Sequence, residues 1–174
     1  MQVRILTMTT TPDKGYAATA AVTAAAAGIL ATVYVAQYGF GLWPCALCYV
    51  QRVPYFFVLV FGALALMPAV DNRSRRIIMF HLAGLFLLDA GFAAYHAGVE
   101  MHWWQGPTTC TGSMGAVSLD DLSAALGKPG HPLCDEPAFL FLGISMAGYN
   151  VVAALLLTLF SFGAGLRKHW WTPA

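Results

Sequence analysis

The chain has 174 residues, of which 59% are hydrophobic and only 10% are charged, and its formal net charge is +1. A soluble domain carries about 25% charged residues, so this composition, with a mean hydropathy of +0.65, excludes an ordinary soluble globule and favours a membrane protein. The near-neutral charge also argues against a nucleic-acid partner.

Charged residues divide the chain into four long apolar stretches. Because a spanning helix needs about 20 mainly apolar residues, we predict helices at about 16–38, 49–69, 77–98 and 139–162. The alternative is a soluble bundle of buried helices, but no helix shows a polar face along its length. We therefore expect an all-α membrane protein, with residues 1–174 forming a single integral domain built on a four-transmembrane-helix bundle.

The basic residues predict the orientation of these helices. Seven of the nine Lys and Arg residues fall on one side of a four-pass topology: Arg4, Lys14, Arg73, Arg75, Arg76, Arg167 and Lys168. The positive-inside rule makes that side cytoplasmic. Both termini are then expected in the cytoplasm, and a long loop at about 99–138 is expected on the outer side of the membrane.

All four cysteines fall on the predicted outer side, where disulfides persist. Cys45 and Cys48 link the first two helices, whereas Cys110 and Cys134 lie in the long loop. Structural disulfides are one interpretation, although a Cys-x-x-Cys bridge closes too small a loop to stabilise much. A zinc site is another, but zinc modules typically repeat compact pairs. Thiol exchange is the third, and we favour it because Cys-x-x-Cys often has a lowered thiol pKa.

The stretch WPCALCYVQR (43–52) supports redox chemistry. Pro44 suits the first turn of a helix, which puts Cys45 where the helix dipole stabilises a thiolate. Cys48 follows one turn later, and Arg52 lies four residues beyond it on the same face. The Arg52 guanidinium is expected either to interact with a thiolate or an electron-rich carbonyl, or to anchor the helix at the lipid headgroups. Spacing alone leaves both roles open.

The stretch CALCYVQR, the distant cysteine pair and CDEPAFLFLGISMAGYN (134–150) resemble the DsbB-type disulfide-bond-formation proteins of bacterial inner membranes. The resemblance covers roughly residues 16–165. It implies a thiol:quinone oxidoreductase that re-oxidises a periplasmic, DsbA-like thioredoxin-fold partner and reduces ubiquinone or menaquinone. Alternatives are a relative that serves one dedicated client, or a non-enzymatic membrane scaffold with structural disulfides.

The resemblance also implies roles for individual residues. Cys110 and Cys134 would form the loop disulfide, and Cys110 would form the mixed disulfide with the partner. Cys134 would then attack Cys45 and free Cys48 as a thiolate that faces the quinone.

Two further residues are implied in quinone binding. Arg52 would lie beside the quinone and the Cys48 thiolate, and His96 resembles the histidine that the family places near the quinone ring. No metal ligand is expected.

Two features remain open from the sequence. Asp89, near the middle of the third helix, is an intramembrane acid and therefore a functional hypothesis. It is expected either to belong to a proton path or to be a protonated carboxyl that bonds a neighbouring helix. SLDDLSAALGK (118–128) is predicted to form a short amphipathic helix in the outer loop, lying on the membrane or packed on the protein.

Overall fold

A computed structural model describes residues 13–108, 110–111 and 132–172. Within them the chain forms four long helices: α1 (Lys14–Gly39), α2 (Ala46–Ala65), α3 (Asn72–Glu100) and α4 (Met146–Leu166). A short antiparallel hairpin precedes α4, and one 3-10 turn follows it: β1 (Leu140–Phe141), β2 (Ile144–Ser145) and Lys168–Trp170. All four helices are long and apolar enough to cross a membrane, as the sequence predicted.

Each helix begins at a side chain that accepts a hydrogen bond from the first turn. Asp13 accepts from the Tyr16 amide at 2.6 Å. Asp71 accepts from the amide of Arg73, and Ser145 accepts from that of Gly148. Such caps satisfy amide groups that have no partner inside the helix. The capping residue of α2 is Cys45.

The four helices form a bundle in which α3 packs chiefly against α4 and α2, while α1 packs chiefly against α2. The buried core is contributed by all four helices and includes Val22, Val58, Leu82, Phe86 and Ala164. Small residues let α1 and α2 approach closely, because a Cβ added at Gly62 would collide with Thr23.

The outer surface of the bundle is strongly apolar. On α4, Leu156 is 62% exposed and Leu159 is 68% exposed, and large apolar side chains project outward from the other helices as well. A soluble monomer rarely exposes apolar patches of this extent. The surface therefore suits lipid, and it argues against the soluble bundle that the sequence left as an alternative.

The predicted start of the fourth helix, at 139, is wrong. The chain turns through Leu142 and Gly143, which both have positive φ, and residues 140–145 pair as the hairpin instead. Two consecutive positive φ values suit a tight hairpin turn, and Ser145 then caps α4. The error arose because hydropathy alone does not distinguish a short apolar hairpin from the first turns of an apolar helix.

The second and third helices also begin earlier than expected. α2 starts at Ala46 because Cys45 caps it, and α3 starts at Asn72 because Asp71 caps it. The charged first turn of α3 was excluded from the predicted span but is helical. The short helix expected at 118–128 lies outside the described residues.

Candidate functional site

Cys45 and Cys48 meet at the first turn of α2. Their Sγ atoms lie 2.9 Å apart, and both are thiols. The Cys45 sulfur also accepts a hydrogen bond from the Cys48 backbone amide at 3.3 Å. The cap geometry explains this proximity, because an N-cap side chain folds back over the residue three positions later. The two sulfurs therefore face each other, as the spacing predicted.

Cys45 lies just outside the helix and is the more acidic thiol of the pair. The hydrogen bond from the Cys48 thiol lowers the pKa of Cys45 well below its ordinary value, and His96 contributes in the same direction. Burial opposes this shift, since it disfavours a charged sulfur. The thiolate is the nucleophilic form of a cysteine, so the lowered pKa makes Cys45 the candidate nucleophile of the pair.

The second cysteine pair lies against the first. Cys110 and Cys134 form a disulfide with Cα atoms 5.3 Å apart. Both sulfurs belong to one buried cluster with Cys45 and Val99, and Cys48 packs against that cluster. The fold thus brings together all four cysteines that the sequence singled out.

His96 on α3 packs directly against the reduced pair. Its Nε2 atom lies 3.4 Å from the Cys45 sulfur and 3.7 Å from Oε1 of Glu100, one turn further along the helix. Its Nδ1 atom lies 2.6 Å from Nε2 of Gln51. The ring is almost fully buried. These contacts connect His96 to the thiol chemistry as well as to the adjacent cavity.

A cavity of about 1000 Å³ opens beside the pair. Its wall comes from α1, α2, α4 and the hairpin, with His96 and Glu100 from α3, and is mostly apolar. The polar side chains in the wall are Thr32, Cys48, Gln51, Arg52, Tyr55, Tyr149 and Asn150, besides the two from α3. The Cys48 side of the pair therefore faces the cavity.

Arg52 is buried in the cavity wall. Its Nη1 atom donates to Oε1 of Gln37 on α1 at 2.7 Å. The guanidinium carbon lies 4.9 Å from the ring centre of Tyr34 and 5.1 Å from that of Tyr49. Stacking on aromatic faces and a hydrogen bond to an amide fix the planar group in one position. This position favours a role in the cavity over that of a headgroup anchor.

Three polar residues of the site were missed by the sequence analysis. Gln37 positions Arg52, and Gln51 contacts His96. Asn150 donates to Oε1 of Gln51 at 2.8 Å. Each is an amide inside an apolar helix, where polar side chains are rare, and that rarity is the signal by which the sequence could have identified them.

The reduced pair also forms a potential metal-binding group. The ligand atoms of Cys45, Cys48 and His96 all lie within 4.8 Å of one another, in the part of the chain that the structure describes. Two thiolates and an imidazole are a donor set that suits zinc. Disulfide formation between the two cysteines would remove two of these three donors, so such binding would be limited to the reduced state.

Comparison with known proteins gives consistent matches. The family model for disulfide bond formation protein DsbB matches residues 16–164. A disulfide bond formation protein B of Albidiferax ferrireducens is 31% identical over 155 residues, covering 84% of this chain and 85% of the relative. That of Saccharophagus degradans is 30% identical over 148 residues, covering 80% and 86%. An uncharacterized protein of Rickettsia prowazekii is 28% identical over 134 residues, covering 75% and 76%. No solved structure matches the chain.

Proposed function

This chain belongs to the disulfide bond formation protein DsbB family, and on that premise we propose that it re-oxidises a soluble thioredoxin-fold protein and passes the electrons to a membrane quinone. The family and the four apolar helices make it a multi-pass inner-membrane protein with an oxidoreductase role in disulfide bond formation. The proposal adds the electron donor, a DsbA-like periplasmic dithiol, and the acceptor, ubiquinone or menaquinone.

One observation carries the proposal: the reduced pair lies between the second disulfide and the cavity. Cys45 is buried in the same cluster as Cys110 and Cys134, whereas Cys48 lines the cavity. Electrons that enter at the disulfide need only two thiol exchanges to reach the cavity. A purely structural disulfide would not require a free thiol pair at that boundary.

The first exchange takes place at Cys110. A thiolate of the partner attacks its sulfur, the Cys110–Cys134 bond breaks, and Cys134 leaves as a thiolate. Cys110 is 8% exposed, whereas Cys134 is fully buried. Because exchange requires an accessible sulfur, this difference favours attack at Cys110.

The second exchange moves the electrons inward. The Cys134 thiolate attacks Cys45 in a Cys45–Cys48 disulfide, and Cys48 leaves as a thiolate. The second thiol of the partner then attacks the mixed disulfide and frees Cys110, whose thiolate attacks Cys134 in the Cys134–Cys45 disulfide and releases Cys45. The net result is one partner disulfide and one reduced Cys45–Cys48 pair, which is the cysteine state described above.

The size and lining of the cavity support a quinone as the electron acceptor. Its volume, about 1000 Å³, lies at the upper end of typical ligand pockets, about 300–1,000 Å³, and its apolar walls suit a ring with an isoprenoid tail. Arg52 and His96 would hold the polar ring, since both are buried in the wall beside Cys48. A bound quinone supplies an acceptor for two electrons and two protons.

Oxidation of the thiol pair releases protons as well as electrons. The Cys45–Cys48 pair loses two electrons and two protons to become a disulfide, and the same numbers convert quinone to quinol. Disulfide formation releases every thiol proton of the pair, including the Cys48 proton that is shared with the Cys45 sulfur at 2.9 Å, and quinol formation takes up two protons. The Arg52 guanidinium attracts the negative charge that develops at the cavity end of the pair.

The orientation of the protein belongs to the same proposal. Basic residues cluster at the end of the bundle opposite the cysteines, and the positive-inside rule puts that end in the cytoplasm. The cysteines would then face the periplasm, where the soluble partner is found, with both termini in the cytoplasm.

A mutational experiment separates this enzyme from a membrane scaffold with structural disulfides. Purified protein is given a reduced thioredoxin-fold dithiol oxidase and a soluble quinone, and quinone loss is followed by absorbance. Cys48→Ser is expected to abolish turnover, while Ser161→Ala, a buried change on α4 away from the cavity, is expected to retain it. Turnover that survives in Cys48→Ser would refute the proposed route.

A further inference from the structure

A continuous chain of hydrogen bonds runs from the middle of α3 to the reduced cysteine pair. The side-chain amide of Asn150 on α4 donates to Oδ2 of Asp89 at 3.0 Å and to Oε1 of Gln51 at 2.8 Å. Gln51 Nε2 in turn lies 2.6 Å from Nδ1 of His96, and the hydroxyl of Tyr55 donates to Asn150 Oδ1 at 2.6 Å. Three helices contribute to this network, and Asp89 is fully buried.

The direction of the bonds in this network is set at Asp89. A carboxylate only accepts hydrogen bonds, so Asn150 must turn its NH₂ group toward it. That group also faces Gln51, which must therefore present its oxygen to Asn150 and its NH₂ group to His96. Nδ1 of His96 then accepts, and in the neutral ring the proton is carried by Nε2.

The tautomer of His96 determines whether its ring presents a donor or an acceptor to the thiol pair. The Nε2–H group of His96 faces the Cys45 sulfur at 3.4 Å, where a donor favours the thiolate over the thiol. If both amides were reversed, Nδ1 would carry the proton and Nε2 would be an acceptor. Cys45 would then be favoured as a thiol and would lose its hydrogen-bond donor in the ring.

We propose that Asp89 is a positioning residue. Through the amides of Asn150 and Gln51 it determines which ring nitrogen of His96 carries the proton, and it thereby directs Nε2–H at the Cys45 sulfur. The inference deepens the proposed function and rests on it for its role in turnover. Asp89 lies seven residues from His96, about 10 Å along the helix, so it acts without touching either thiol or quinone.

The unpaired oxygen of Asp89 is consistent with this role. Oδ1 has no hydrogen-bond partner within the described residues, whereas Oδ2 accepts from Asn150. A proton bound at Oδ1 would leave Oδ2 as an acceptor. The direction of the network is therefore the same for the charged carboxylate and for a carboxyl protonated at Oδ1. An amide at this position would not fix the direction of the hydrogen bonds, because it can turn either its oxygen or its NH₂ group toward Asn150.

Other ionisable groups lie at the two ends of the network, and their charges would affect the protonation of Asp89 and of the thiol pair. Tyr55 on α2 faces Asp89. At the other end, Cys48 and His96 lie near the Cys45 sulfur, and Glu100 lies 3.7 Å from Nε2 of His96. The experiment therefore compares variants that leave all four of these groups in place.

The direct test is the ring ¹⁵N spectrum of His96 in the reduced, quinone-free protein, assigned by its loss in His96→Gln. The wild type is expected to show the Nε2–H tautomer. In Asp89→Asn the Nδ1–H fraction should rise roughly tenfold, the effect of about one net hydrogen bond. Ser161→Ala, which removes a buried hydroxyl on α4, should leave the spectrum unchanged. Identical spectra in the wild type and Asp89→Asn would overturn the proposal.

A second readout tests whether the effect passes through Gln51. The initial rate at which iodoacetamide alkylates Cys45 at pH 6, located by fragment-ion mass spectrometry, should fall several-fold in Asp89→Asn. In a Gln51→Leu background the same substitution should have no further effect, because residues that act through one path are not additive. Equal effects in both backgrounds would contradict the proposed path.

The two measurements also separate this inference from simpler explanations. An Asp89 that only joined α3 to α4 would lower the Tm of Asp89→Asn and leave both the tautomer and the alkylation rate unchanged. Neither measurement needs partner or quinone. Failure of quinone reduction by the wild type would refute the proposed function while leaving the tautomer result intact.

Discussion

Nε2 of His96 lies 3.4 Å from the sulfur of Cys45, although 51 residues separate the two in the chain. From the sequence, His96 was expected near a quinone ring, and it does line the cavity. The structure adds a contact with the thiol pair itself. One side chain therefore contacts both the thiol pair and the cavity, and this relationship underlies the first prediction.

The first prediction concerns the reactivity of Cys45 at acidic pH. Because the pKa of this thiol is lowered in the fold, the thiolate is present above that lowered value and is lost only as the pH falls through it. An ordinary thiol, with a pKa of about 8.5, is almost entirely protonated at pH 6. Alkylation at pH 6 should therefore be at least about tenfold faster in folded protein than in detergent-denatured protein.

The contribution of His96 to this reactivity is tested separately. His96→Ala should lower the rate of Cys45 alkylation at pH 6 by roughly tenfold, since it removes one hydrogen bond to the thiolate. His81→Ala is the matched control, because His81 lies on the same helix but is bonded to the backbone of Ile77 instead. Equal rates in both variants would contradict a role for the His96 contact.

The second prediction concerns Arg52. Replacing it by Met should raise the KM for quinone by roughly 10–100-fold, the range expected for loss of a charged hydrogen bond. Exchange with the partner should change little, because the cysteine cluster is preserved. Measuring quinone KM and the single-turnover rate of partner oxidation separates the two effects.

Gln37 provides an independent check on Arg52. Gln37→Leu leaves the guanidinium in place but removes the amide that orients it at 2.7 Å. An intermediate rise in KM is expected, whereas Arg73→Gln, an exposed residue at the start of α3, should leave KM unchanged. A normal KM in Arg52→Met would show that Arg52 does not bind quinone.

The third prediction concerns the order of the thiol exchanges. The partner for this test has its second thiol replaced by Ser and its remaining thiol joined to thionitrobenzoate as a disulfide. In Cys134→Ser the Cys110 thiolate should displace thionitrobenzoate and accumulate a mixed disulfide with the partner, because neither Cys134 nor the partner's second thiol is present to release it. Cys110→Ser should not accumulate it. Non-reducing gels and mass spectrometry of the crosslinked peptide identify the sulfur involved. A crosslink through Cys134 in Cys110→Ser at equal yield would reverse the assigned roles.

The fourth prediction tests the lipid-facing surface. Leu159 on α4 is 68% exposed, and Leu159→Asp should strongly reduce insertion, because a charge at a helix centre costs about 2.5–3.5 kcal/mol. Thr172→Asp, also exposed but beyond the helix, is the matched control. Membrane-inserted protein is measured by carbonate extraction. Equal insertion of the two variants would argue against lipid contact at Leu159.

The spans could be predicted from the sequence because they depend on composition. A stretch without charge that is long enough to cross a bilayer has few other stable outcomes. The start of α4 could not be predicted in this way. It depends on the backbone at Leu142 and Gly143, whose positive φ values turn the chain back on itself, and a local turn leaves little trace in an average of hydropathy.

The site was predictable only in part, for a similar reason. Cys45, Cys48 and Arg52 lie within two turns of one helix, so their proximity follows from helical spacing. The contact of Gln51 with Asn150 joins residues 99 positions apart. It depends on how α2 and α4 are rotated about their axes in the bundle, and a single sequence does not specify that rotation.

The most direct test of the central claim is the stoichiometry of electron transfer. Purified protein in lipid nanodiscs is mixed with a reduced thioredoxin-fold dithiol oxidase and a soluble ubiquinone analogue, and partner disulfide and quinol are both quantified as the reaction proceeds. We expect one quinol for each disulfide formed, and no quinol when Cys45→Ser replaces the wild type. Partner oxidation without matching quinol, or quinol formation in Cys45→Ser, would contradict electron transfer through this cysteine pair.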